Sequence, residues 1–191
     1  MIGRISATRR RMLRATVTHL RMATPPRHYP HPPIGMPLSV SRCRSIPLHF
    51  YRYLYDRVGR DWHWTAALTL SDKQLEERLE SPRTDINVLY LDACPAGFFE
   101  LRLLNEQDCR LVHFGLMRHA IGRGISRWFL GEAIRTAWKH EPEVVSVETC
   151  TLDHPAALPL YQKMGFSPVW QKDEYVTEIS PEVRTAVILR D

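Results

Sequence analysis

The stretch Met117-Arg118-His119-Ala120-Ile121-Gly122-Arg123-Gly124-Ile125-Ser126-Arg127 decides the fold, because it joins an extended apolar run directly to an amphipathic helix. Upstream, residues 110–117 read as a strand. Downstream, Phe129, Leu130, Ala133, Ile134, Ala137 and Trp138 recur at helical spacing within residues 125–140. After Glu141-Pro142, residues 144–151 read as a second strand. Strand, helix, strand in this order predicts a parallel pair joined by a crossover helix. The glycines of the turn let main-chain amides converge, and the orphan N–H groups at the positive end of the helix dipole form an anion site suited to phosphate. Arg118, Arg123 and Arg127 add positive charge without a nearby acid. The turn lacks the third glycine of a dinucleotide fingerprint and the Gly-Lys-Ser/Thr of a P-loop, so both of those phosphate binders are disfavoured.

Outward from this unit, helical and extended patterns alternate. Residues 38–43 alternate apolar and polar like an edge strand, and Leu48, Tyr51, Leu54 and Tyr55 recur at helical spacing between Pro47 and Gly59. Residues 61–64 (Asp-Trp-His-Trp) make a short aromatic loop, and Ser71 caps a second helix with Gln74 completing a capping box. Strands follow at 86–91, at 96–104 beyond a Cys94-Pro95 turn, and at 110–117, which the turn spacing arranges as an antiparallel meander. A short helix over 155–163 precedes Gly165, which suits a C′ position, and strands at 166–171 and 174–179 close the pattern. The reading is an α/β chain built on a mixed sheet.

The 191 residues, 44% of them hydrophobic, suffice for one ordinary domain with a real core. No run approaches the roughly 18–20 apolar residues of a membrane-spanning helix, so no membrane partner is expected. Cys43, Cys94, Cys109 and Cys150 include no Cys-x-x-Cys pair and no His at a zinc-type spacing. That argues against a metal site and for reduced, buried thiols in a cytoplasmic protein. The net charge of +5 is unevenly placed: residues 1–55 hold ten Arg and no acid, whereas residues 56–191 hold 16 Lys and Arg against 21 Asp and Glu, a net of −5. The acidic balance of the larger part argues against nucleic acid as the main partner. Residues 1–37 are Arg-rich and carry six of the 14 prolines between positions 25 and 37. They read as a disordered extension or an over-long start of the reading frame, with an organelle transit peptide and a basic nucleic acid-binding arm as competing readings. The domain proper is then residues 38–191.

The second motif is Leu152-Asp153-His154-Pro155-Ala156-Ala157-Leu158-Pro159-Leu160-Tyr161-Gln162-Lys163-Met164-Gly165-Phe166. Together with the glycine turn, and with the order and spacing of the elements between them, it resembles the GNAT superfamily of N-acetyltransferases. Members carry a Gln/Arg-x-x-Gly-x-Gly/Ala loop and, one strand later, an Asn-x-x-Ala-x-x-x-Tyr-x-x-x-Gly-Phe helix. Placing His154 at the Asn brings Ala157, Tyr161, Gly165 and Phe166 into register, and the resemblance covers residues 38–179. In the loop Ile121 stands for the Gln/Arg, Gly124 matches and Ser126 replaces the last Gly/Ala; a register on His119, Gly122 and Gly124 also fits. Both registers keep the amides of 122–126 free for phosphate.

The resemblance implies a GNAT-like central twisted mixed sheet of about six to seven strands flanked by about four helices. It also implies transfer of an acyl group from acetyl-CoA, or another acyl-CoA, to a primary amine on a small molecule or peptide. Strand 110–117 would splay from strand 144–151, and the pantetheine arm would enter the gap beside the main chain of Leu116 and Met117. The pyrophosphate would lie on Gly122, Arg123, Gly124, Ile125, Ser126 and Arg127, with His154 as a further polar contact. Tyr161 takes the place of the acid beside the coenzyme sulfur. Glu100, flanked by Phe98 and Phe99, is the candidate base or water-positioning group, and His113 on the next strand can share that role. Trp62, Trp64 and Tyr51 are candidates to wall the acceptor site, and Cys150 reads as a small buried hydrophobe. The competing functions are an inactive acyl-CoA sensor on the same fold and a nucleic acid-binding protein led by the Arg-rich arm. Tyr161 favours the enzyme, since a sensor has no need of a leaving-group acid. The exposed edges of an open sheet allow a homodimer. No motif identifies the acceptor.

Overall fold

The structure, a computed structural model, describes residues 11–190. Among these residues seven strands are formed: β1 (Met12–Met22), β2 (Leu38–Cys43), β3 (Thr84–Leu91), β4 (Cys94–Leu103), β5 (Asp108–Leu116), β6 (Val144–Cys150) and β7 (Ser167–Thr177). Five α-helices accompany them: α1 (Leu48–Gly59), α2 (Asp72–Leu79), α3 (Ile125–Trp138), α4 (Ala157–Lys163) and α5 (Pro181–Ile188). The strands form one sheet in the order β2-β3-β4-β5-β6-β1-β7. Every neighbouring pair is antiparallel except β5 and β6, which are parallel and joined through α3.

Helical periodicity decides which face of the sheet each helix covers. Tyr51, Leu54, Tyr55 and Val58 repeat along one side of α1 and are buried against Ile86, Val88 and Phe98, with Leu75 of α2 and Val187 of α5 in the same cluster. On the other face α3 buries Phe129, Leu130, Ala133 and Ile134 against Phe99, Leu101, Leu111, Val145 and Val147, where Tyr161 and Phe166 join them. Each of the larger side chains is worth about 1.5–3 kcal/mol when fully buried, so the sheet is clamped from both sides. Helix α2 buries only Leu75 and relies on its end. There Ser71 Oγ accepts the Gln74 N–H at 3.3 Å and Gln74 Oε1 accepts the Ser71 N–H at 3.0 Å, completing the box read from the sequence.

The N-terminal reading needs correction. Residues 12–22 are not a disordered extension but a strand inserted between β6 and β7, with Val17 opposite Cys150 on one side and Lys172 on the other. Ala15, Leu20 and Met22 are buried, while Arg14 pairs with Asp173 at 2.6 Å and Arg21 lies 3.9 Å from Asp108. The acids that balance these arginines lie far along the chain, so the local composition concealed the strand. The Pro-rich link to β2 is also packed: Pro30 lies against Gly131, where an added Cβ would sit 3.0 Å from Pro30 Cδ. Beside it, Arg135 lies 4.6 Å from the Tyr29 ring centroid. The part of the proposed extension formed by residues 1–10 lies outside the described residues.

Three smaller differences have local causes. The two terminal strands expected at 166–171 and 174–179 are one strand, β7, because β1 runs beside it from Met12↔Thr177 to Arg21↔Ser167. The hairpin expected at Cys94-Pro95 turns two residues earlier, on Asp92 and Ala93 with φ 53° and 59°, both left-handed without a glycine to signal it. Helix α5 was not anticipated, although Ser180 caps it by accepting the Val183 N–H at 3.3 Å and Pro181 occupies its first turn.

Candidate active site

Strands β5 and β6 pair only from Asp108↔Val144 to Leu111↔Val147. On the other side of β5, Leu111 faces Leu101 and His113 faces Glu100, which leaves Val112 as an extra residue and bends the strand. Beyond this bulge the two strands part. A cavity of about 710 Å³ opens between residues 112–116 of β5 and 148–150 of β6.

At one end of the cavity stands the glycine turn. Gly122 and Gly124 have φ of +78° and +76°, and a Cβ at either would meet nothing within 4 Å, so backbone conformation rather than crowding selects glycine here. No side chain caps α3 and its first turn holds no acid, which leaves the N–H groups of Ile125, Ser126 and Arg127 without an intrahelical acceptor. Ile121, Gly122 and Ser126 line the cavity, Arg123 and Arg127 are exposed, and Ile125 buries its side chain and offers only its amide. This donor set, cationic and rich in unpaired N–H groups, fits a pyrophosphate. His154 also lines the cavity, with Nδ1 accepting the Ala156 N–H at 3.1 Å and its ring edge-on to Trp62 at 4.9 Å.

Leu116 lines the gap, but Met117 does not. Its N–H is donated to Ala96 O and its carbonyl accepts the Ala120 N–H, both at 2.8 Å, and its side chain joins the core under α1. Because N–H and C=O groups alternate sides along a strand, those of Phe114 and Leu116 turn away from β4 and into the gap.

Tyr161 on α4 is 6% exposed and lines the cavity. Burial, and then the Asp153 carboxylate, push its hydroxyl pKa well above the ordinary tyrosine value. His113 lines the cavity too, with Tyr55, Trp64 and Phe98 ring centroids at 5.0, 5.1 and 6.3 Å. Its Nδ1 lies 2.9 Å from Glu100 Oε2 and 3.5 Å from Arg78 Nη2. The shorter contact assigns the Nδ1–H to Glu100, so the ring nitrogen free to exchange a proton is Nε2.

Glu100 itself does not reach the cavity. It is fully buried and accepts from Tyr51 Oη at 2.7 Å, from Arg78 at 2.6 and 3.1 Å, and from Arg102 at 3.3 Å. Burial alone would raise its pKa, yet His113, Arg78 and the Tyr51 hydroxyl together hold it well below the usual carboxylate range. Such a carboxylate is a poor proton acceptor, and Glu100, expected as a base or water-positioning group, stands outside the cavity as a buried partner of His113. Tyr51 is likewise displaced from the acceptor wall, because it is fully buried and gives its hydroxyl to Glu100. Tyr55, one turn further along α1, takes its place in the lining.

Trp62 and Trp64 do wall the cavity. Trp64 packs on bare backbone, since a Cβ on Gly59 would lie 2.4 Å from it. Trp64 Nε1 donates to Asp153 Oδ1 at 3.3 Å, while Asp153 Oδ2 accepts the Thr149 hydroxyl at 2.8 Å and the Cys150 N–H at 2.9 Å. From α5, Arg184 donates to the Trp64 carbonyl at 3.1 Å and to Asp56 at 3.0 Å. Sequence reasoning missed Tyr55, Asp153 and Arg184. Asp153 had a signal, an Asp between a strand end and a helix start, where its side chain can accept from the following or preceding main chain. Arg184 had none. Cys150 lines the cavity, but burial and then Asp153 raise its pKa, which keeps the thiol protonated and inert. Among the described residues no helix is long and apolar enough to cross a membrane, and no group of three or more His, Cys, Asp or Glu could hold a metal ion.

The sequence matches the acetyltransferase (GNAT) family over residues 51–166. No curated protein matches it. Among solved structures, a conserved protein of unknown function from Staphylococcus epidermidis ATCC 12228 superposes with a TM-score of 0.57 at 12% identity, over 87% of this chain and 63% of that one. A tandem GNAT protein from the clavulanic acid biosynthesis pathway, solved without acetyl-CoA, gives 0.57 at 16% identity over 86% and 55%. An aminoglycoside acetyltransferase from an uncultured soil metagenomic sample, in complex with sisomicin, gives 0.54 at 14% identity over 66% and 86%. The chain spans less than two thirds of the length of the first two. At these identities the likeness is one of fold.

Proposed function

Because the chain belongs to the acetyltransferase (GNAT) family, we propose that it transfers an acyl group, acetyl from acetyl-CoA in the first instance, to a primary amine. The observation that carries this reading is the gap between β5 and β6, with unpaired helix amides at one end and His113 and Tyr161 in its lining. Bound acyl-CoA supplies an activated thioester carbonyl. The amides of residues 122–127 hold its pyrophosphate, Arg123 and Arg127 add charge, and Phe114 and Leu116 offer main-chain partners along the gap.

An alkyl amine has a pKa of about 10 and is mostly protonated at neutral pH, so a base has to remove a proton before attack. Nε2 of His113 accepts it, with the ring held by the Nδ1–H bond to Glu100. Tyr161 gives its Oη proton to the departing sulfur and regains one from the nitrogen of the tetrahedral adduct, and its raised pKa keeps a phenolate from persisting between the two transfers. Trp62 and Trp64 form the acceptor side, where an alkylammonium is attracted to aromatic faces.

Acetyl-CoA at a hundred times its Kd adds about 2.7 kcal/mol of stability, which for a chain of this size raises Tm by about 5–10 °C. Gly124→Glu forces a side chain into a left-handed position and a negative charge into the amide cluster, and abolishes the shift. An unchanged melting curve of the wild-type protein at saturating acetyl-CoA would sink the reading. A panel of amines assayed by thiol release then identifies the acceptor.

A further inference from the structure

The first turn of α3 separates two cavities. Ser126 lines the gap between β5 and β6, and Arg127, the next residue, lines a second cavity of about 740 Å³. The rest of its wall comes from the link between β1 and β2 and from the end of α4. Arg27 and His28 of the link, Arg127 of α3 and Lys163 of α4 all line it, and no carboxylate does. These groups come from three separate parts of the chain, so the fold rather than a basic run gathers them. Like charges brought together repel unless an anion sits among them. The link is held in place for this role by the contact of Pro30 with Gly131 and by Tyr29 beneath Arg135.

We propose that this cavity binds the 3′-phosphate of coenzyme A, which makes the β1–β2 link part of the cofactor site. The inference rests on the coenzyme reading given above. In coenzyme A the pyrophosphate joins the pantetheine arm to an adenosine whose ribose carries a 3′-phosphomonoester. With the pantetheine in the gap and the pyrophosphate on the amides of residues 122–127, the nucleoside leaves the cradle at the turn where Arg127 opens on the second cavity. The phosphomonoester is the remaining anionic group of the ligand. Arg27 and Arg127 offer it bidentate N–H pairs, and Lys163 a point charge.

Isothermal titration calorimetry of the full chain with coenzyme A and with 3′-dephospho-coenzyme A tests the site. The wild-type protein is expected to bind coenzyme A about tenfold more tightly than the dephospho form, a preference that shrinks as ionic strength rises. Arg27→Ala combined with Lys163→Ala, both exposed positions, brings the ratio close to one and leaves the affinity for the dephospho form unchanged. Arg27→Lys with Lys163→Arg restores the preference. Equal affinity of the wild type for the two ligands, or a preference that survives the double alanine variant, overturns the site while the coenzyme reading stands. Binding of inorganic phosphate through Arg27 and Lys163 with no preference for coenzyme A makes it a free-phosphate site and also overturns the assignment. Binding of neither coenzyme form overturns both readings.

Discussion

His113 and Tyr161 divide the proton chemistry between them, and each has a neighbour that sets its state. Tyr161→Phe removes the hydroxyl and little else; kcat is expected to fall about 100-fold while the KM for acetyl-CoA stays within about twofold. Steady-state kinetics decide this, and full activity removes Tyr161 from the mechanism. His113→Ala is expected to lower kcat by a similar factor, again with the KM for acetyl-CoA within about twofold. Glu100 acts on stability as well. Its folded-state pKa is depressed, so the stabilisation it confers is complete above the unfolded value of about 4.3 and is lost as pH falls towards the folded value. Glu100→Gln leaves the half-buried Arg78 beside a neutral partner and is expected to destabilise the protein by about 1–3 kcal/mol at pH 7. The difference from wild type narrows as the pH drops below about 4. Urea melts at both pH values test this, and a loss of equal size at each would show that the charge of Glu100 is not what holds the network.

Elements with local signals were legible in the sequence. The period of α1 and α3, the capping box of α2 and the glycine turn depend on residues within a few positions of one another, and each stands where it was read. Strand β1 was not legible, because the carboxylate that balances Arg14 is Asp173, 159 residues away. The same division runs through the site. His113, Leu116, Gly122, Ser126, His154, Tyr161, Trp62 and Trp64 line the gap. Glu100 and Tyr51 do not, since both are fully buried and hydrogen-bonded to each other beneath the cavity wall. Helix α5 reaches the site through Arg184, which bridges Asp56 and the Trp64 carbonyl. Arg184→Ala leaves the buried Asp56 short of a partner and is expected to cost about 1–3 kcal/mol. It also loosens the loop that carries Trp64, so the KM for the amine rises several-fold while that for acetyl-CoA is unchanged. Parallel kinetics on the two substrates check the split, and equal changes in both would place α5 outside the acceptor site.

At the scale of the whole molecule, the sheet is continuous only because β1 fills the space between β6 and β7. A chain restricted to residues 38–191 has two unpaired strand edges facing each other and lacks the buried Leu20 and Met22. It is expected to lose cooperative unfolding and to aggregate. Calorimetry and light scattering measure this, and a cooperative transition at the wild-type temperature would show β1 to be dispensable. The position of β1 has a further consequence for biosynthesis. The ribosome makes β1 long before its partners Cys150 and Lys172. Order of synthesis and order of assembly therefore run in opposite directions. The nascent chain carries an open seam until β7 has been made, and the wall of the gap that β6 provides becomes firm only once β7 has joined β1.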